Sequence, residues 1–193
     1  MKKVKQLISF CILMLIASLL FIACNDAEDK KDTETTEVKP AENSHAVATL
    51  TATMPDTALT GTADFMAQDG KVRLSLTLSI PAMANKSVAV HIHEMGDCGD
   101  MGKGAHGHWN PTNQQHGKWG TGSFHAGDIG NVSLDSAGNG ALQLETDLWT
   151  IGGDAKTDVL NHSIIVHSGM DDFTTQPTGN AGSRIGCGVI MKQ

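Results

Sequence analysis

The chain has 193 residues with 21 acidic and 14 basic side chains, a formal net charge of −7, and 4% aromatic residues with no tyrosine. The 149 residues from His45 onward carry 14 acidic and 8 basic groups, a net of −6. That balance excludes a nucleic-acid binder, which needs a basic face, and the length suits one domain with a full core.

Residues 1–23 read as a signal peptide: Met1-Lys-Lys-Val-Lys-Gln is basic, and Leu7 to Ala23 is an apolar run too short to span a membrane comfortably. Ala23-Cys24 closes the run with a small residue before a cysteine, as in a bacterial lipoprotein signal, so Cys24 is the expected lipidation site and the membrane a partner through that anchor. An ordinary secretory signal and an uncleaved anchor are the alternatives. Phe21 departs from the leucine usual three places before the cysteine. Cys11 is the poorer site, because bulky Phe10 precedes it and the apolar run continues past it. Residues 24–44 then form the lipidated cysteine and a polar tether. With only Ala27, Val38, Ala41 and Pro40 as apolar members, the tether buries too little surface to offset ordering entropy. Its random-coil reach is about 25 Å.

From residue 45 to 193 short strand-like runs recur: Ala46–Thr53, Thr60–Ala67, Val72–Ile80, Ser87–His93, Gly127–Leu134, Ala141–Thr146, Ser163–His167 and Ile185–Met191. Val72 to Ile80 alternates apolar and polar residues, as a half-buried strand does. Asp69-Gly70 is a two-residue hairpin turn, and Ser136 to Gly140 reads as a longer one. No segment after the signal has helical periodicity. Eight short strands predict an all-β, antiparallel sandwich or barrel.

Seven side chains of metal-ligand type punctuate this frame: His91, His93, His108, His116, His125, Asp128 and His167. His91 and His93 sit two apart on one strand, so both imidazoles point to one face while Val90 and Ile92 point to the other. His108, His116, His125 and Asp128 lie in or beside a Gly-rich stretch from Met95 to Ala126 that reads as one long loop, a length tolerated mainly where it is functional. A four-coordinate zinc would leave three histidines over, and imidazole-rich sets suit copper. Two four-coordinate metals share seven residues only if one histidine bridges them through both ring nitrogens.

The chain resembles the copper/zinc superoxide dismutases from about His45 to Met191. The resemblance is carried by His91-Ile-His93-Glu-Met-Gly-Asp-Cys98, His108-Trp-Asn-Pro, His116-Gly, His125-Ala-Gly-Asp128-Ile-Gly-Asn, Val166-His167 and Gly179-Asn-Ala-Gly-Ser-Arg184-Ile-Gly-Cys187. It implies an eight-stranded antiparallel Greek-key β-barrel with a long metal-binding loop. Copper is implied on His91, His93, His108 and His167, and zinc on His108, His116, His125 and Asp128, with His108 as the bridge. Arg184 would dock a superoxide anion, and His108 would supply a proton as copper is alternately reduced and oxidised. Asp171 would link His91 to His116, and Cys98–Cys187 would be the internal disulfide, in keeping with an exported setting.

Two departures accompany the likeness. Ala89-Val90 stands where many relatives have Gly-Phe, and Ser168 to Ser183 contains no lysine or arginine. On an acidic chain, steering of an anion must therefore be local, from the metals and Arg184. His45, His106 and His162 have no matched role, and His106 reads as a solvated loop residue. Met95, Met101 and Met170 are soft groups able to feed copper to the site, although packing or simple exposure is the plainer reading. Trp109 is expected to pack beneath the loop. An envelope metal-storage protein and an adhesive β-sandwich with structural zinc are the rival functions. The sequence gives no sign of oligomeric state.

Overall fold

The computed structural model describes residues 43–193, so the signal, Cys24 and nearly all of the tether lie outside the described residues. The strands are β1 (His45–Ala52), β2 (Thr60–Gln68), β3 (Lys71–Ser79), β4 (Ser87–His93), β5 (Gly130–Ser133), β6 (Asn139–Thr146), β7 (Ser163–His167), β8 (Arg184–Val189) and β9 (Met191–Lys192). The helical content among the described residues is two 3-10 turns, Pro81–Met83 and Lys103–Ala105.

All ladders are antiparallel, in the order β5-β4-β7-β8-β1-β2-β3-β6, with β9 paired to β1. Around the wall β4, β5 and β6 follow one another and β3 returns beside β6, which is a Greek-key connection. β5 and β6 adjoin without a ladder, so the barrel is nearly closed. The expected hairpin at 136–140 therefore forms only its turn. Asp135 N bonds Asn139 O (2.8 Å), but Ile80 N and Asn85 N also bond into that turn, at Gly138 O and Asp135 O. The β3–β4 and β5–β6 connections thus lie side by side, which delivers β5 to β4 and β6 to β3. At Asp69-Gly70 both residues have positive φ (52° and 75°), the geometry of a two-residue hairpin turn.

The expected run to Met191 breaks at Ile190, whose N–H bonds His162 O; the chain then leaves β7 and pairs with β1 as β9. β5 starts three residues later than expected because Gly127 is already committed to Ile92 and Trp109.

Burial follows sequence pattern. β3 alternates exposed and buried residues, with Val72, Leu74, Leu76 and Leu78 in the core. β4 and β7 are covered on both faces. Val90, Ile92, Ile164 and Val166 fill the barrel, each such side chain contributing about 1.5–3 kcal/mol by burial. The opposite face carries Ala89, His91, His93, Ile165 and His167, and loops cover it. Those loops hold the site.

Candidate metal centre

His91 and His93 project from the outer face of β4, as their spacing requires, and both are fully buried. His167 ends β7, beside a register shift that sets it opposite Arg184 of β8. His108 is fastened to the same sheet: Trp109 N donates to Ile92 O (2.9 Å), Gly127 N to Trp109 O (3.0 Å) and Ile92 N to Gly127 O (2.9 Å). This closed set of three bonds seats His108 against His93. Trp109 is buried, as expected, and stacks on His162 at 4.6 Å. Trp149 Nε1 donates to Ala126 O (2.9 Å), which anchors the His125–Asp128 turn.

Two donor groups result: His91, His93, His108 and His167; and His108, His116, His125 and Asp128. Within each, the candidate ligand atoms lie within 4.8 Å of one another, every member is buried, and His108 belongs to both.

The ring nitrogens indicate what these groups accept. His93 Nδ1 donates to His106 O (2.8 Å) and His167 Nδ1 to Gly182 O (3.4 Å). Their Nε2 atoms therefore carry lone pairs, and these face each other at 3.4 Å. Buried His91 Nδ1 and His108 Nε2 have no hydrogen-bond partner. Four lone pairs converging in a dry pocket repel unless a cation sits among them. In the second group His116 Nδ1 and His125 Nδ1 are likewise unpartnered. They lie 3.0 and 3.2 Å from the Asp128 oxygens without hydrogen-bond geometry. His108 Nδ1 is 2.8 Å from Asp128 Oδ1. Three nitrogens and one carboxylate fit zinc, and four imidazoles fit copper.

Asp171 joins the two groups. Its Oδ2 is 2.9 Å from His91 Nε2 and its Oδ1 2.9 Å from His116 Nε2. This pair of contacts fixes which nitrogen of each ring turns inward. Asp171 is itself held by Asn131, whose Oδ1 accepts from Asp171 N (2.8 Å) and whose Nδ2 donates to Asp171 O (2.9 Å). Gly179, at φ +64°, passes so close that a Cβ there would fall 1.9 Å from Asp171 Oδ1. Only glycine fits.

Charge follows the same contacts. Burial pushes His108 down to about 4 and His167 to about 3, and drives His93 far below the ordinary histidine range, with neighbouring rings adding repulsion. His116 is also penalised by burial, but the close Asp128 carboxylate, the hydrogen bond to Asp171 and the negative charge of both outweigh that and raise it to about 9. Both carboxyls stay well below the carboxylate range because the surrounding imidazoles overcome their burial.

Arg184 donates through Nη1 to Gly102 O and through Nη2 to His106 O. The His106 side chain is exposed, as expected, but its carbonyl serves both Arg184 and His93. The Cys98–Cys187 disulfide, with Cα atoms 5.7 Å apart, pins this loop to β8. Closing 89 positions contributes about 4–5 kcal/mol in the chain-entropy view. Lys103 lines the same hollow of about 300 Å³ as Arg184, a local cation that sequence reading missed. His45 pairs with Asp64 (2.8 Å) and His162 with Glu94 O (2.6 Å). Met95, Met101 and Met170 are about half exposed and join neither donor group.

Residues 59–190 match the sequence profile of the copper/zinc superoxide dismutases. The chain belongs to this family. Among curated superoxide dismutases, the second copper/zinc enzyme of Aquifex aeolicus is 39% identical over 110 residues, covering 55% of this chain and 64% of the relative. The Botryotinia fuckeliana protein is 34% identical over 154 residues, covering 75% of this chain and 96% of that one. The match spans just under two thirds of both Aquifex relatives. Among solved structures, that of the clock protein EA4 superposes with a TM-score of 0.69 at 28% identity, covering 79% of this chain and 97% of that one. Copper and zinc, the metals in the family's description, are those that the two donor groups suit.

Proposed function

We propose that this protein is a superoxide dismutase, turning two superoxide anions and two protons into dioxygen and hydrogen peroxide. The observation that carries this reading is the shared imidazole of His108, with Nε2 among the four-imidazole donors and Nδ1 beside Asp128. His91, His93, His108 and His167 would hold copper, and His108, His116, His125 and Asp128 would hold zinc. When bound, copper supplies alternate one-electron acceptance and donation, and zinc a fixed charge with no redox chemistry.

The chain's own groups do the rest. Arg184 spends one N–H of each terminal nitrogen on backbone carbonyls, which orients the guanidinium and leaves its other donors for an anion. Lys103 also lines the Arg184 hollow, but its ammonium lies 3.7 Å from Asp100 Oδ2, so attraction of an anion there rests on Arg184. His108 Nε2 would hold a proton for the reduced product only while that nitrogen is free of copper, and Asp128 Oδ1 lies 2.8 Å from Nδ1 of the same ring. Asp171 prevents the rings of His91 and His116 from turning.

Metal analysis joined to a superoxide-consumption assay tests the reading. One copper and one zinc per chain with catalytic turnover is the expected outcome. Full metal content without turnover would make it a storage protein, and zinc alone a structural β-sandwich. Arg184→Ala should slow turnover and weaken inhibition by small anions; an unaltered anion response would remove Arg184 from the mechanism.

The location is part of the same proposal: a signal over 1–23, lipid on Cys24, a tether over 24–44, and the enzymatic domain from 45 to 193 in the cell envelope, facing the periplasm or the cell surface. The Ala23-Cys24 junction and the Cys98–Cys187 bridge, of a kind that persists in oxidising compartments, support it. Cys24→Ala should move the protein from the membrane fraction to the soluble one.

A further inference from the structure

His116, like His125, has no sheet-like anchor, and its own backbone N–H and C=O are both held by one side chain from a distant loop. Gln176 Nε2 donates to His116 O (2.9 Å), and Gln176 Oε1 accepts from His116 N (2.9 Å). A primary amide has a donor and an acceptor side by side, and here both engage the two backbone groups of one residue. The same loop takes the ring, through Asp171 Oδ1 at His116 Nε2 (2.9 Å). Segment 171–176 therefore grips His116 at backbone N, backbone O and ring.

The gripping loop is braced from within. Asp172 Oδ1 accepts from Thr174 N (2.9 Å) and Thr175 N (2.8 Å), Asp172 N donates to Gly179 O (2.9 Å), and Gly179 N to Thr175 O (2.7 Å). His108, by contrast, is seated through the bonds joining Trp109, Ile92 and Gly127, and His125 lies beside the Ala126 carbonyl that Trp149 holds.

We propose that Gln176 is a positioning residue for zinc, acting by holding the main chain of His116 through both ends of its amide. The proposal rests on the reading of His116 as a zinc ligand. Without the amide, the N–H and C=O of a buried residue lose their partners, and the ring is free to back away from the other donors. Partners one step removed from a metal typically alter its affinity by about 10–100-fold. The loop that carries no charge to guide an anion has instead the task of holding a ligand.

Two variants test this in full-length protein carrying both metals. Gln176→Met keeps the length and removes both hydrogen bonds; Gln176→Glu keeps the acceptor and removes the donor. Zinc release into excess chelator should quicken by about tenfold in Gln176→Met and less in Gln176→Glu, with copper release changed by under about twofold. The His116 amide, which gives its hydrogen to Gln176 Oε1, should exchange faster in zinc-loaded Gln176→Met than in the zinc-loaded wild type. Zinc release at the wild-type rate in Gln176→Met would overturn the proposal. So would equal acceleration of both metals with a lowered melting temperature of the metal-free protein, which marks general damage. A wild-type protein that retains no zinc would instead overturn the zinc reading, and the clamp with it.

Discussion

The two halves of the metal centre are built by different means. His91, His93 and His167 stand on β4 and β7, where ladder hydrogen bonds fix the backbone and strand alternation aims the rings. His116, His125 and Asp128 stand on loops, where side-chain amides, a tryptophan N–H and shared carboxylates do that work. The strand-borne half exists as soon as the barrel does. The loop-borne half assembles only when its polar contacts close together, which makes it the more easily disturbed of the two.

Replacing His167 with alanine tests that difference most severely. Turnover should fall by more than about a thousandfold, in the range for loss of a central catalytic group, while zinc content stays at one per chain, because no zinc-side donor depends on that ring. Unchanged superoxide consumption would remove His167 from the copper set. Asp128→Asn attacks the other half. Loss of its charge and of one acceptor should weaken zinc by about 100-fold, at the upper end of effects near a metal, and copper far less. Competition with a metal chelator reads both, and equal losses would show that the halves are not separable.

Asp171→Asn removes the carboxylate that touches a histidine of each half. The asparagine amide can accept at only one end, and its lost charge weakens the hold on both His91 and His116. Affinity for copper and for zinc should each drop by about tenfold, and an effect confined to one metal would show that the link is one-sided.

The smallest expected effect is the pH dependence of the metal-free protein. His116, raised to about 9, adds stability that is complete below the unfolded value of 6.5 and lost as pH climbs through 9. His108 and His167, lowered to about 4 and 3, bind protons when unfolded but not when folded, so stability falls as pH drops below 6.5. Urea midpoints of metal-free protein should peak near pH 6.5, and the alkaline limb should vanish once zinc displaces the His116 proton. A flat profile would contradict the charge assignment.

Sequence reading reached the strand-borne half because its signals are periodic. Alternation in Val72 to Ile80 and the two-residue spacing of His91 and His93 translate directly into faces of a sheet. All seven ligand positions come together as their order along the chain suggested, and Asp171 lies between His91 and His116. The amide clamps of Asn131 and Gln176 were not legible, since a polar loop residue shows no pattern until its partner, 40 or 60 positions away, is in place. Nor was the split between β5 and β6, because a turn such as Asp135 to Asn139 can close locally while the strands it joins go to different neighbours.

The peptide oxygen of residue 106 accepts from both His93 Nδ1 and the Arg184 guanidinium. One carbonyl thereby sets the distance between the His93 ring and the Arg184 guanidinium. Because the oxygen belongs to the main chain, swapping the side chain at 106 leaves it in place, and an alanine scan would pass over it in silence. The backbone there has φ +60°, a conformation easier for glycine than for histidine. His106→Gly should therefore be harmless or mildly stabilising, whereas weakening this oxygen as an acceptor, by exchanging the peptide link after residue 106 for an ester, would disturb both neighbours at once.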